Sequence, residues 1–408
     1  MIANLLDKIS GHPPSQAGFA EIVQREARKI GFKETLKFEP DQFRLAHGSG
    51  QYLFLANAYR DYIASKRSER TAVVRRYVQI LVANSVPYEP TLDEARPMMI
   101  PIIRNLAGIL DMGRSRIEEQ ENPDAGFRYR HFGEDCVELL ALDQPDTINT
   151  LTCGPPEEWG LTLDQALVIA RENLRDATSE GWEEVAPGVF RGAWGDSYDP
   201  SRALLPDVLE RAPVKGRPVF MIPTRDVLLV TGDRDENGVL AMTELSHQAF
   251  EASGRWVSAL AFTYDDDGKT VTFAAPWPKH RERQLDLNRL LRNDEYAEQK
   301  KSLEALYERE GRDVFVASYF LRDQADGMHT VSWSAWTEGV DALLPKTDRL
   351  VLDTVDRRDK GDLLVVDWDA SFPMIGHLLK EEHGHYPPRF RTQGFPDATV
   401  IAQLSSIE

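Results

Sequence analysis

Four charged residues near the middle of the chain have the types that hold an anion. Asp199 and Arg202 follow a Tyr198-Asp-Pro200 break, and Arg225 and Asp226 sit at a corner between two apolar runs, Val219–Ile222 and Val227–Val230. Arginine's planar fork takes carboxylate or phosphate through paired hydrogen bonds, so two arginines facing one pocket would hold an anionic ligand. The same four residues can instead satisfy one another in a partly buried corner. Ionic groups at strand ends usually do so, and that pairing is the favoured reading. Just beyond, Asp233, Asp235 and Asn237 alternate, Gly238 follows, and Glu244 comes six residues later, which is the spacing of a calcium loop. A strand rather than a helix leads into it, so an Asn-Gly turn with solvated acids competes. Near the C-terminal end, His377, Glu381, His383 and His385 fall within nine residues. Histidine and glutamate are zinc ligands, and His377 and Glu381 would share a helix face, but the spacing fits no standard zinc signature. A polar helix end with exposed histidines competes here. No metal is therefore assigned, and Ca2+ and Zn2+ stand as the cofactors these residues could take. The chain has no Gly-rich phosphate loop and no Gly-x-Ser-x-Gly elbow.

These residues need elements to position them. Hydrophobic periodicity predicts helices over Ser15–Phe32, Tyr52–Ile63, Glu69–Val82 and from Thr162 onward, where Thr162 is the N-cap and Leu163, Leu167, Ala170 and Leu174 share a face. Thr35–Phe38 and Gln42–Ala46 read as a hairpin, Gly48–Gly50 as a break, Met98–Ile103 as a buried strand, and Arg114–Gly126 as a loop. Strands follow at Phe127–Phe132, Cys136–Leu142 and Asn149–Cys153, then a hairpin at Trp182–Val185 and Val189–Trp194, and a helix over Ser201–Leu209. The anion-site strands lead into a helix ending near Phe250. Beyond a Pro-punctuated boundary at Ala275–Pro278 come a helix over Leu285–Glu310 and strands at Val314–Phe320, Thr330–Trp336, Arg349–Leu352 and Leu363–Asp367. A short helix is predicted over Met374–Lys380. Trp333 and Trp336 read as core or interface residues. This is an α+β chain with mixed and antiparallel sheets. Its helix-hairpin-helix-strand order recurs, which raises an internal duplication of α-β-β-α-β units. Three parts are expected: 1–95, 96–278 and a C-terminal α+β module over 279–408.

Composition narrows the function classes. The formal net charge is −18, and the first hundred residues carry a slight basic excess, so the acidity lies in the remainder. A body that acidic repels phosphate, which makes nucleic acid an unfavoured partner and argues against anionic membranes. Two cysteines, Cys136 and Cys153, are too few for a disulfide framework, and no apolar run is long enough to span a bilayer. The N-terminal stretch lacks the basic-then-apolar order of a signal peptide. A cytoplasmic protein is expected.

Four short motifs occur in order: Ile100-Pro-Ile-Ile-Arg104, Ala170-Arg-Glu-Asn-Leu174, Asp199-Pro-Ser-Arg-Ala-Leu204 and Pro223-Thr-Arg-Asp-Val-Leu-Leu229. In order and spacing the region from about Arg96 to Phe273 resembles the YtpQ-like family of uncharacterised bacterial proteins. The resemblance implies a bacterial, cytoplasmic, mixed α/β protein and carries no activity with it. With no nucleophile, base or cofactor signature standing out, the leading expectation is a non-enzymatic adaptor or accessory subunit whose partner is another protein. Two alternatives stay open: a metal-dependent hydrolase using the acidic turn or the C-terminal histidines, and an anion sensor built on Arg202 and Arg225.

Overall fold

The apolar period at Phe19, Val23 and Ala27 folds as α1 (Gln16–Lys29), started by the Ser15 hydroxyl, which accepts the Gly18 N–H at 3.1 Å. The computed structural model describes residues 13–40, 43–47, 51–84, 89–120, 126–144, 147–253, 256–324, 329–354 and 363–404. The chain divides into two compact units, Met1–Ala95 with Asp143–Asn149, and Arg96–Leu142 with Thr150–Glu408. Among the described residues no helix is long and apolar enough to cross a membrane.

In the first unit, β1 (Lys37–Glu39), β2 (Arg44–His47) and β3 (Gln51–Phe54) form an antiparallel sheet. The helix read over Tyr52–Ile63 cedes its first residues to β3 and begins as α2 (Ala56–Ala64). The Gly48–Gly50 break lies outside the described residues. α3 (Arg70–Asn84) brings Val74, Val78 and Leu81 into one core with Phe19, Val23, Leu45 and Leu55. Glu26 is buried among them, and Lys29 and Arg75, at 2.9 and 3.0 Å, hold its carboxyl below the usual range. A short α4 (Leu92–Ala95) closes the unit.

The second unit opens with β4 (Met99–Asn105). Where the sequence reads as a loop from Arg114 on, the chain is helical through α5 (Leu106–Gln120). Asn105 supplies the missing start signal, its Oδ1 accepting the Gly108 N–H at 2.9 Å, and burial of Leu106 and Ile109 supplies the rest. β5 (Arg130–Phe132) and β6 (Cys136–Gln144) follow, and β6 lies between β4 and β5, while the end of β6 and most of β7 (Thr147–Thr150) count with the first unit. α6 (Leu163–Asp176) begins with a Thr162–Gln165 capping box and packs on β4. A six-stranded antiparallel sheet then uses β8 (Trp182–Ala186), β9 (Val189–Gly192), β10 (Pro218–Thr224), β11 (Val227–Gly232), β12 (Ala261–Tyr264) and β13 (Thr270–Thr272) in the order β13-β12-β10-β11-β9-β8. The helix read over Ser201–Leu209 splits into a 3-10 turn (Asp199–Leu204) and α7 (Pro206–Leu209), because Leu205, ahead of a proline, takes an extended φ of −120°. α8 (Glu236–Ser253) covers β10 and β11. The strand pairs that read as repeats land in sheets of different size and order, β1–β2 in one of three strands and β8–β9 in one of six.

α9 (Pro278–Glu310) is 33 residues long, with Pro278 in its first turn and Gly311, at φ 64°, capping its end. The boundary at Ala275–Pro278 is thus the junction between sheet and helix inside one compact unit. Leu287 and Leu291 of α9 share a core with Met242 and Phe250 of α8, while Leu303 and Tyr307 pack with Val316 and Leu343. The run Val314–Phe320, read as one strand, divides into β14 (Phe315–Val316) and β15 (Phe320–Asp323), which join different sheets. With β16 (Thr330–Thr337), β17 (Ala342–Pro345), β18 (Arg349–Asp353), β19 (Leu364–Asp367), β20 (Leu379–Glu382) and β21 (Arg389–Thr392) they make two four-stranded sheets, β14-β17-β21-β20 and β15-β16-β18-β19. Ala342 and Leu344 of the first meet Trp336, Leu350, Leu352, Leu364 and Val366 of the second in a shared core. α10 (Trp368–Ile375) follows β19, and α11 (Ala398–Gln403) comes after β21. The resulting fold is α+β with mostly antiparallel sheets.

Arg389 ties these layers together without a carboxylate. Its fully buried guanidinium donates to Gln299 Oε1, to the carbonyls of Ala317 (2.8 Å) and Leu343 (3.1 Å), and to that of Tyr296 (3.2 Å). Burial pulls its pKa down to about 10, so it remains a cation at neutral pH. Arg389→Met keeps the stem and removes the donors. It is expected to cost about 3 kcal/mol in chemical denaturation, and a change below 1 kcal/mol would show that these bonds do not secure the sandwich.

Candidate functional site

Arg202 is buried in the 3-10 turn, and its nearest acid is Asp196, with the expected Asp199 as a more distant ion-pair partner. Its fork meets Asp196 Oδ1 at 2.9 Å and Oδ2 at 2.6 Å, its Nε donates to Thr178 Oγ1 at 3.0 Å, and it stacks over the Trp194 ring at 4.2 Å. Asp199 lies farther away at 3.7 Å and accepts the Trp194 N–H at 3.2 Å. Burial pushes the Asp199 carboxyl up, whereas Arg202 holds Asp196 below the usual range although burial opposes it. Arg225 and Asp226 are elsewhere. They form the exposed two-residue turn of the β10–β11 hairpin, between the paired residues Thr224 and Val227. The two-arginine pocket is therefore corrected to one internally satisfied arginine and one surface turn.

The calcium-loop reading is corrected too. Asp233 accepts the Arg217 N–H at 2.9 Å, and Asp235 accepts the Gly238 N–H at 3.1 Å while pairing with Lys215 at 2.9 Å. Asn237 and Gly238 already lie in the first turn of α8, so no loop continues towards Glu244, which forks with Arg283 at 2.6 and 3.2 Å. Asp235 is a helix cap rather than a metal ligand.

The histidines are separated by a change of element. Asp367 caps α10 through the Ala370 N–H, the helix ends at Ile375, and β20 begins at Leu379, so His377 and Glu381 share no helix face. His377 and His383 are exposed. His385 is tucked away, its Nδ1 3.1 Å from Arg114 Nη2, and burial together with that guanidinium pushes its pKa down to about 4. It is a neutral acceptor at pH 7 and no member of a cluster with the other two. His383 and Glu381 line a cleft of about 870 Å³ beside β20, together with Asp341, Lys380, Arg391 and Phe395. Its strongest cation is already engaged, since Arg391 forks onto Asp341 at 2.5 and 2.6 Å.

The residues that sequence reading passed over lie along the buried side of α9. Asp286 accepts from His329 Nδ1 (2.7 Å), the Thr330 N–H (2.9 Å) and Arg289 (3.1 Å). Arg289 also reaches Glu282 at 2.8 Å and Asp348 at 3.0 Å. Glu282, Asp286 and His329 hold ligand-type atoms within 4.8 Å of one another, the one such group among the described residues, but the cation in their midst is Arg289. Farther along, Arg292 donates to Glu295 at 2.5 Å and to the Tyr386 hydroxyl at 2.6 Å. Asp135 Oδ2 lies 3.8 Å from Arg292, and Ser258 donates to both Asp135 oxygens at 2.8 and 2.9 Å. A signal existed in the sequence: acids and arginines recur at three- and four-residue spacing on that helix.

One surface differs from these paired sites. On β16, Ser334 and Trp336 point into the sandwich, so Trp333 and Ala335 face outward. Register carries that outer face across the sheet, Phe320 beside Trp333, Trp333 beside Arg349 and Arg349 beside Asp367, with Ala335, Val351 and Val365 as the next row. Arg322 and Arg349 both stack over the Trp333 ring, at 5.5 and 5.3 Å. Phe320 is 58% exposed, and Leu363, just before β19, is 54% exposed.

No family model, curated protein or solved structure matches this chain.

Asp135 offers a direct check on the buried network. Burial raises its carboxyl from 3.8 to about 6, against the pull of Arg292. The folded state therefore holds that proton more tightly than the unfolded chain. The stability it contributes is complete below pH 3.8 and is lost as pH rises through about 6. Asp135→Asn removes this dependence. Between pH 4 and pH 7 the variant should gain roughly 2 kcal/mol relative to the parent in urea titrations; parallel pH profiles would contradict the buried, raised carboxyl.

Proposed function

We propose that this chain is a protein-binding accessory or adaptor subunit, and that it works through the outer face of the sheet β15-β16-β18-β19. The observation that carries the reading is the composition of that face. A sheet packed on one side usually presents polar side chains on the other. Here the outward positions hold Phe320, Trp333, Ala335, Val351 and Val365 beside the charged Arg322, Arg349 and Asp367, with Phe320 and Ala335 exposed. Exposed apolar area of this kind marks interaction surfaces, and tryptophan and arginine are the residues most enriched where binding energy concentrates. The acidic body supports a protein partner over a phosphate-bearing one.

The kinship with YtpQ-like proteins and a cytoplasmic setting belong to the same proposal. The motifs behind the kinship are residues that wire this fold. Arg171 pairs with buried Glu138, Asn173 donates to the carbonyls of Arg96 and Met99, and Arg202 holds Asp196. Such motifs speak for shared architecture and leave activity open.

A photo-crosslinking residue placed at Ala335 is expected to capture a partner protein in the native host, and the same probe at Val168, exposed on α6, is not. Phe320→Asp should abolish the capture while leaving the melting temperature within about 2 °C. Equal capture from both positions would remove the reading.

A further inference from the structure

We infer that the partner engages this sheet by adding an extended strand to the free edge of β15, with a carboxylate opposite Arg322 and a large apolar side chain opposite Phe320. The inference rests on the protein-binding reading above and adds to it the form and chemistry of what binds.

The form comes from the main chain. β15 is the last strand of its sheet and pairs on one side only, with β16. In an antiparallel pair the N–H and C=O groups of alternate residues point at the partner strand, and those of the residues between them point away. The Gln324 N–H donates to the His329 carbonyl at 2.8 Å, so in this register Phe320, Arg322 and Gln324 bond across to Trp333, Val331 and His329. β16 keeps the same alternation, since the amides of Thr330 and Ser332 donate the other way, to Asp286 at 2.9 Å and Asp348 at 2.8 Å. The main-chain groups of Leu321 and Asp323 therefore point out from the edge, where no strand of the described residues meets them. β15 has neither a bulge nor a proline to blunt that edge, so its outward groups match an incoming strand.

The chemistry comes from the two outer-face residues of β15. Phe320 and Arg322 are both exposed. On an added strand the residues opposite them are non-hydrogen-bonded neighbours, the pairs whose side chains come closest. Arg322 rests on the Trp333 ring at 5.5 Å and has no acid partner among the described residues. A carboxylate facing it across the strands gains an ion pair, and a lysine there is repelled. Arg349, two strands farther in and beside Asp367, takes no part. Antiparallel addition is the stabler pairing per residue, so the partner motif runs acid, any residue, large apolar residue from N to C. A second copy pairing through its own β15 brings only Phe320 and Arg322 to that face from the strand, and so offers Arg322 no acid.

The test uses labelled peptides built on Thr-Glu-Thr-Phe, titrated against the full chain by fluorescence anisotropy. N-methylation of the two Thr amides, which would face Asp323 and Leu321, is expected to weaken binding about 10-fold or more, and N-methylation of the Glu and Phe amides by less than about 2-fold. In the chain, Asp323→Pro removes one outward N–H and leaves the bonds to β16 in place. It should weaken the unmodified peptide and lower capture from Ala335 with the melting temperature within about 2 °C, whereas Asp323→Ala binds as the parent does. Equal loss from both methylated peptides, or parent-like binding by Asp323→Pro, would overturn the strand assignment. So would a chain that sediments as a dimer dispersed by Asp323→Pro, which would make the occupant a second copy. The two readings fail separately. If no peptide binds and capture from Ala335 is untouched by Asp323→Pro, the interface stands and the strand is wrong. If capture fails altogether, both fall.

Discussion

The second unit depends on burying charge along one helix. α9 carries Asp286, Arg292 and Gln299 on its covered side, each less than a tenth exposed, and none can remain there without a partner. Their partners come from separate places in sequence: His329 and Thr330 at the start of β16, Asp135 beside β6, Tyr386 before β21, and Arg389 on β21. Each of these partners satisfies part of a buried polar or charged group, so together they fix the sandwich, the small sheet around β6 and the helix in one arrangement. Apolar packing alone would not specify it, because Leu287, Leu291 and Leu303 could slide by a turn against similar neighbours, whereas a fork of hydrogen bonds cannot.

The same pairing extends to groups outside that helix. Several of the groups that look available in the sequence are engaged once the chain folds, while Arg225, Asp226, His377 and His383 lie at the surface. Arg202 is held by Asp196 and Trp194, Asp235 caps a helix and binds Lys215, Glu244 binds Arg283, and His385 accepts from Arg114. Arg289 pairs with Glu282 and Asp286, two of the three residues in the cluster with His329. The outer face of the last sheet places the Trp333 indole between the guanidinium groups of Arg322 and Arg349.

Much of the fold was legible in the residues. Ser15 and Thr162 mark helix starts through their hydroxyl caps, apolar periods give α1 and α6, and the two runs around Arg225-Asp226 give a hairpin. The less legible parts have specific causes. α5 is hidden because polar residues dominate from Arg114 on, and its stability comes from the Asn105 cap and tertiary packing. The His377 helix fails because Asp367 starts the helix six residues earlier than the apolar run suggests. Arg202's partner was missed because Ser197, at φ 70°, turns the chain so that Asp196 faces back onto the guanidinium. The candidate surface was only half legible: alternation places Trp333 and Trp336 on opposite faces, but which face is covered is decided by the neighbouring sheet.

The most direct test of the central claim is a saturation scan of surface positions in the native host, under conditions where loss of the gene has a phenotype, with protein abundance scored in parallel. The account predicts that surface and half-buried positions intolerant to change at normal abundance cluster at Phe320, Arg322, Trp333, Ala335, Arg349 and Val351. It predicts tolerance around the cleft at Asp341, Lys380, His383 and Arg391. Intolerance concentrated at the cleft, with the sheet face freely variable, would contradict it and point to small-molecule chemistry beside β20.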